Sequence, residues 1–359
     1  MRQLFDQAFI EFDQAIIKKI SAGISKMATQ SHWQVLESIP EINKPWVHNT
    51  QSDPDRIGDV IKVVVFNVER GTRLEPLLIY LREHEVLSGA DIILANELDW
   101  GMSRSGNRNI SATIADALQM NCAFGIEFVS VQAGQNGNQE GLHGNTIFAK
   151  NPLEQVKVLR LPIAYEWFES DDPRLGTRIA VFATIQVQGR KVGLVCVHLE
   201  NRTTPEKRLE QFRMVIDEAD ACFAGLPVII GGDMNTNCID GNDESQVNWL
   251  ALDKTEQHKR IDQVLDYEPL IRFAAERGYT FESCNVPGQP TRRKHMLDAD
   301  DIIMNLDWLF VKNLNGKNPV IIQSIFNCSE VRGGDRYPAL DGLELSDHDA
   351  IAADFEMME

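Results

Sequence analysis

The chain has 359 residues, a hydrophobic content of 43% and a formal net charge of −18. That apolar fraction suffices for a sizeable soluble core, and the length is within reach of a single large sandwich domain. The 53 acidic against 35 basic residues exclude wholesale attraction to duplex DNA or an anionic membrane surface. They leave room for a local basic mouth, and carboxylates are the natural ligands of a hard divalent cation.

Phe5, Phe9, Phe12, Ile16 and Ile20 recur in steps of four and three, which puts them on one stripe of a helix within residues 1–28. The opposite face is mixed rather than basic. The stripe is therefore expected to pack on the main domain, with homodimerisation through it as the second choice and a membrane surface or partner behind both. No charged segment leads into an apolar one, and no long apolar span occurs. The chain is expected to be soluble and cytoplasmic, with no membrane span. Residues 40–58, with Pro and Asp, read as a linker or clasp. The chain thus divides into an N-terminal helical extension with linker, residues 1–59, and a main domain, residues 60–359.

From residue 61 the pattern changes to short apolar runs, several rich in Val and Ile, at 61–66, 91–95, 143–149, 178–187, 191–199, 227–230, 306–312 and 348–355. Helical stretches lie between some of them, at 73–87, 110–119 and 205–222. Pro205 suits the first turn of the last, and Gly225 suits its stop. Strands joined by helices in some places and tight turns in others indicate a mixed α/β sheet. Residues 132–144, with Gly134, Gly137, Gly141 and Gly144, fit no nucleotide-binding spacing and are expected to form a surface loop. The six cysteines show no Cys-x-x-Cys spacing and read as reduced thiols.

Polar groups gather where the apolar runs end. The clusters are Phe66-Asn67-Val68-Glu69, Asn96-Glu97-Leu98-Asp99, Val197-His198-Leu199-Glu200, Gly231-Gly232-Asp233-Met234-Asn235 and Ser346-Asp347-His348. Their shared placement supports convergence at one sheet edge, where α/β folds collect chemistry. Mg²⁺ or Mn²⁺ needs oxygen ligands, and Glu97 is the best single candidate, with Asn67 a neutral helper. Hydrolysis of a phosphoester needs a base for water, neutralisation of the phosphoryl oxygens and a proton for the leaving group. His198 and His348 suit those tasks, and Asp307 is placed to hold an imidazole in the useful tautomer.

This set, in this order, resembles the endonuclease/exonuclease/phosphatase superfamily over residues 60–357. The resemblance implies a four-layer α/β sandwich, two mixed β-sheets flanked by helices, to which the N-terminal helical segment is an addition. It implies Asn67 and Glu97 as metal ligands with Asp347 adjoining. Asp233 and Asn235 would position the attacking water and the phosphoryl group. His348 would be base or charge stabiliser, oriented by Asp307, and His198 would contact the phosphate or assist the leaving group. Two positions depart from the pattern: Asn96 stands where Gln is usual, and Met234 where Phe is common.

Arg104, Arg108 and Asn109 follow Glu97 at a distance that lets them hang over the site as substrate ligands, and arginine suits bidentate contact with phosphate. Arg178, with Arg174, is a further candidate for the same task. The basic run Arg292-Arg293-Lys294-His295 is balanced by nearby aspartates and reads as a solvated turn. The expected activity is metal-dependent hydrolysis of a phosphodiester or phosphomonoester by in-line attack of water, on a small or end-bound substrate. A DNA or RNA nuclease is the alternative, and a non-catalytic binding protein on the same fold is the second alternative.

Overall fold

The computed structural model describes residues 14–27, 29–296 and 300–358. Helices α1 (Gln14–Lys26) and α2 (His32–Glu37) lead to a short strand, β1 (Trp46–His48). Next come β2 (Val60–Arg70), α3 (Leu74–Glu83), β3 (Ile92–Trp100), α4 (Ile110–Leu118), β4 (Asn121–Ser130) and β5 (Leu142–Ala149). Then follow β6 (Glu154–Arg160), β7 (Arg174–Gly176), β8 (Ile179–Val187), β9 (Arg190–His198), α5 (Pro205–Cys222) and β10 (Val228–Asp233). An insertion carries α6 (Glu244–Leu252), α7 (Lys254–Asp262), α8 (Val264–Tyr267), α9 (Pro269–Glu276) and the ribbon β11 (Arg292–Lys294) and β12 (Ile302–Met304). Strands β13 (Asp307–Lys312), β14 (Leu314–Ile322) and β15 (Ala350–Met357) close the chain.

The strands make two large mixed sheets. One has the order β1-β4-β5-β3-β2-β15-β14 with β7 beside β4, and the other runs β13-β10-β9-β8-β6. Each contains a parallel pair, β2 with β3 and β9 with β10, among antiparallel ones. The two-residue period of a strand sorts the apolar groups. Val63, Val65, Ile92 and Leu94 face the second sheet and meet Leu194, Ile229 and Leu309. Val64, Phe66 and Ile93 face outward, under Leu77 and Leu81 of α3 and Ile114 of α4. On the far side, Phe182, Val195 and Val197 lie under Phe212 and Ile216 of α5 and Leu270 of α9. This is the expected order of helices, sheet, sheet, helices. No helix among the described residues is long and apolar enough to cross a membrane.

Ile20 is buried, with Ile16 and Ile24 beside it, in the cluster that holds Val35, Leu36 and Ile39. The described part of the stripe therefore packs on the domain, while Phe5, Phe9 and Phe12 lie outside the described residues. Residues 40–58 are a clasp and not a free linker. Trp46 pairs with Phe124 across β1 and β4, and Ile57 is buried between the sheets. A three-residue edge strand leaves no periodic signal to read. Of the glycine-rich segment, residues 142–144 belong to β5, and the turn before it is pinned by Gln139 N–H to Gly101 O at 2.8 Å.

Two glycines set how closely the sheets approach. A Cβ on Gly231 would stand 2.6 Å from a Val65 methyl and 2.9 Å from a Leu94 methyl. At Gly232, φ is +141°, and a Cβ would meet the Val197 carbonyl oxygen at 2.0 Å. Only glycine lets β10 lie this near β2, β3 and β9.

The insertion is anchored by a buried ion pair. Arg208 of α5 donates from Nη2 to Glu268 Oε1 at 2.5 Å and from Nε to Oε2 at 3.2 Å. It also donates to the carbonyls of Thr203 and Ile239, at 2.7 and 3.1 Å. Neither side chain is exposed. Losing one partner strands the other charge in the core, which costs about 3–5 kcal/mol. Glu268→Ala should therefore destabilise the protein by about that much in urea unfolding.

Candidate active site

Ladder register delivers the polar clusters to one place. Asn67 of β2 stands opposite Asn96 of β3, and Asp233 of β10 stands between His198 of β9 and Asp307 of β13. Beyond these pairs the ladders slip, between Asn67 and Arg70 and between Ala95 and Leu98. Glu69, Arg70, Glu97 and Asn235 take left-handed φ values of +44°, +68°, +59° and +50°. Side chains rarely tolerate that region, and such strain of about 1–3 kcal/mol each collects at sites that the surrounding structure holds in place. The slips turn the carboxylates of β2 and β3 out of the ladder towards the strand ends.

Asp233 is the centre. Its Oδ2 accepts from Asn67 Nδ2 at 3.1 Å and lies 3.5 Å from His198 Nε2 and 3.7 Å from His348 Nε2. Its Oδ1 accepts from the Asn235 amide at 2.9 Å. His348 is fixed from behind, with Nδ1 2.9 Å from Asp307 Oδ2. Ser346 Oγ accepts from the His348 amide at 3.1 Å and donates to the Asn67 carbonyl at 2.7 Å, so the turn before β15 is tied to β2. Burial opposes a charge on His348, but Asp307, Asp233 and Asp347 outweigh it and raise its pKa. Burial also raises the Asp307 carboxyl.

His198 is fixed by Glu127, which sequence reading passed over, and by Arg178, which it assigned to the substrate. Its Nδ1 lies 3.0 Å from Glu127 Oε2, inside the otherwise apolar strand β4. Glu127 also accepts from Asn145 at 2.9 Å and from Arg178 at 2.5 Å. Arg178 Nη1 lies within 3.1 Å of both His198 nitrogens, and its other arm reaches Glu200 at 3.3 Å. Burial works against the Glu127 charge, yet His198 and Arg178 keep its pKa far below the usual carboxylate range. A lone Glu in an apolar run was the available signal for this network. Arg178 is buried behind His198 in this arrangement and positions that ring.

Glu97, Glu69 and Asp347 form the carboxylate side. Burial raises Glu69, and the Asp347 and Glu97 charges raise it further. Glu97 stays low despite burial, because His143, Arg70, His198 and His348 face it. Asp347 also stays low against burial, helped by His348 and by Arg292, which binds it at 2.8 and 3.1 Å. These are hard oxygen donors in mutual repulsion, with the Asn67 amide beside them, and that donor set fits a hard divalent cation. Among the described residues, Asp233, Asp307 and His348 also bring ligand-type atoms within 4.8 Å of one another.

The residues expected over the mouth have partners elsewhere. Arg104 grips Asp99 with two bonds, at 2.8 and 2.9 Å. Arg108 pairs with Glu75, and Asn109 caps α4 by accepting from the Ala112 amide at 2.9 Å. The basic run is not a solvated turn. Arg292 and Lys294 lie on β11, and Arg293 binds Asp349 at 2.6 Å, so the run is bound to the turn before β15.

No protein-family model and no curated protein matches the sequence at a significant level. Solved structures do match. An endonuclease/exonuclease/phosphatase from Beutenbergia cavernae DSM 12333 is 18% identical, with 83% of this chain and 72% of that one covered and a TM-score of 0.52. The human Nocturnin catalytic domain with bound sulfate anion is 15% identical, with 85% and 96% covered and a TM-score of 0.52. The chain thus has the endonuclease/exonuclease/phosphatase fold.

Asn96, at the position where the motif usually has Gln, binds three elements with one amide. Its Oδ1 accepts from the Asp233 amide at 2.8 Å, and its Nδ2 donates to the Val197 carbonyl at 2.9 Å and to Asn145 Oδ1 at 3.0 Å. Asn96→Ala would leave two buried backbone groups unpaired, at about 1–3 kcal/mol each. Urea unfolding should show a loss of roughly 2–6 kcal/mol, together with reduced activity.

Proposed function

We propose that the protein hydrolyses a phosphodiester or phosphomonoester by in-line attack of water, with Mg²⁺ or Mn²⁺ as cofactor. One arrangement carries the reading. The His348–Asp307 pair and His198 converge on Asp233, beside the carboxylate set of Glu97 and Asp347. Glu97 and Asp347, with Asn67 alongside, would hold the cation, which when bound neutralises charge on the phosphoryl oxygens. The Asp233–Asp307–His348 cluster is better suited to proton and charge handling, because Asp307 is buried behind the ring and its bond to Nδ1 occupies that nitrogen.

The chain's own residues then divide the work. Asp233, steadied by Asn67, orients the water and takes its proton as the oxygen–phosphorus bond forms. Asn235, fixed by its donation to the Leu199 carbonyl at 2.9 Å, orients the phosphoryl group. His348 holds a proton at Nε2 against the charge that builds on the phosphoryl oxygens, and His198 faces the same side. The bond from phosphorus to the leaving oxygen breaks on the far side, without a covalent intermediate, and the leaving oxygen takes its proton from solvent water. A small or end-bound substrate is favoured because Arg104 and Arg108 are already paired. They offer no cationic track beyond the site.

Hydrolysis of bis-p-nitrophenyl phosphate tests the reading. EDTA should abolish it and added Mg²⁺ or Mn²⁺ restore it. His348→Ala and Glu97→Ala should each lower kcat by roughly 10²–10⁴-fold. Activity indifferent to chelator and to both substitutions would discard the mechanism.

A further inference from the structure

Three cations beside the site make no ion pair among the described residues. Arg174 has no hydrogen-bond partner at its buried Nε among the described residues, and its guanidinium carbon lies over Trp167, 3.9 Å from the ring centroid, and 4.9 Å from that of Phe128. Arg202 donates to the Tyr165 hydroxyl at 2.9 Å and sits 5.2 Å from the same Trp167 ring. Lys294 points into a groove that it shares with Arg202. Glu244, an exposed residue of the first turn of α6, is the carboxylate in that lining. A second hollow continues from Lys294 past Arg292 to Asn235, so the groove runs into the candidate active site.

This clustering is costly as it stands. Lys294 is partly buried and faces Arg292 and Arg202, and both burial and those charges disfavour its own charge. Arg174 lies near Arg178. Like charges gathered in a chain of net charge −18, with no carboxylate among the described residues bound to any of the three, are what an anion-binding subsite requires.

We propose that Arg174, Arg202 and Lys294 form a second anion subsite, which holds a phosphate of the substrate other than the one that reacts. The preferred substrate is then a small molecule with at least two phosphate groups. This rests on the phosphoester reading above and narrows it. A nucleic-acid track is disfavoured, because the cations further out are neutralised, Arg104 by Asp99, Arg108 by Glu75 and Arg293 by Asp349. Ile239, Leu250 and Ile302 also give the inner hollow an apolar side.

Inorganic pyrophosphate is the probe, titrated by calorimetry into the full chain in EDTA. Under those conditions the bare carboxylates of the reaction centre repel an anion, and the second subsite is read alone. Pyrophosphate should bind. Arg202→Ala and Lys294→Ala should each weaken it roughly tenfold or more, as expected for loss of one charge-assisted contact. Lys294→Arg should retain most of the affinity, and His348→Ala should leave it unchanged. Arg202→Gln and Lys294→Gln serve if either alanine variant fails to fold by circular dichroism. Absence of binding, or binding indifferent to folded Arg202 and Lys294 variants, would overturn the proposal. So would single-stranded DNA binding through these residues more tightly than pyrophosphate, with a steep salt dependence. Pyrophosphate binding that depends on these residues, alongside inert bis-p-nitrophenyl phosphate, would retain the subsite and reject the hydrolytic reading.

Discussion

Everything at the candidate site of the sandwich depends on one buried amide joining the two sheets. Asn96 leaves β3 at the ladder slip and bonds the Asp233 amide, the Val197 carbonyl and Asn145. From Asn145 the path continues to Glu127 and on to His198, which faces Asp233 again. The result is a closed circuit of buried polar groups around the carboxylate that would handle the water. In a low-dielectric interior such bonds polarise one another, and each orphaned member is expensive, so the circuit has few alternative arrangements. Gly231 and Gly232 are its steric counterpart, because any side chain there would push β10 out of Asn96's reach.

Much of this was legible in the sequence, for a physical reason. Strands buried on both faces must be apolar for their whole length, so a polar residue closing such a run stands out. Asn67, Glu97, His198, Asp233 and His348 were found that way, and the structure brings them together. Glu127 escaped because it lies inside a strand, where a charge is tolerated only with partners from other strands. Sequence spacing cannot show Arg178 and Asn145 arriving from β8's edge and β5. Likewise β1 and the insertion helices were missed: β1 and the four-residue α8 are too short for periodicity, α7 is polar on most faces, and α6 and α9 are only two turns long.

The loop arginines show how proximity in sequence misleads. Arg104 and Arg108 follow Glu97 closely, yet carboxylates nearer to them, Asp99 and Glu75, claim them first. The run at Arg292 was judged by adding neighbouring charges, which cancel. In space they do not cancel: Arg292 turns to Asp347 and Arg293 to Asp349, while Lys294 is left facing Arg202. Pairing between elements, and not the local sum, decides which cations remain available.

The two sides of the site are complementary in the charge they leave uncompensated. Glu69, Glu97 and Asp347 repel one another across a short distance, and Arg70 and Arg292 answer them only in part. Beside them, Arg174, Arg202 and Lys294 stand without ion pairs among the described residues. A protein could gain stability by letting these opposite groups meet, as surface pairs do elsewhere in this chain. They are kept apart by rigid elements: the slipped ends of β2 and β3 hold the carboxylates, while Trp167 and the β11 ribbon hold the cations. Separation of this kind costs folding free energy and serves only a bound species with both characters. The proposed substrate, a phosphoester with a second phosphate, together with a cation that Glu97 and Asp347 would hold, has both.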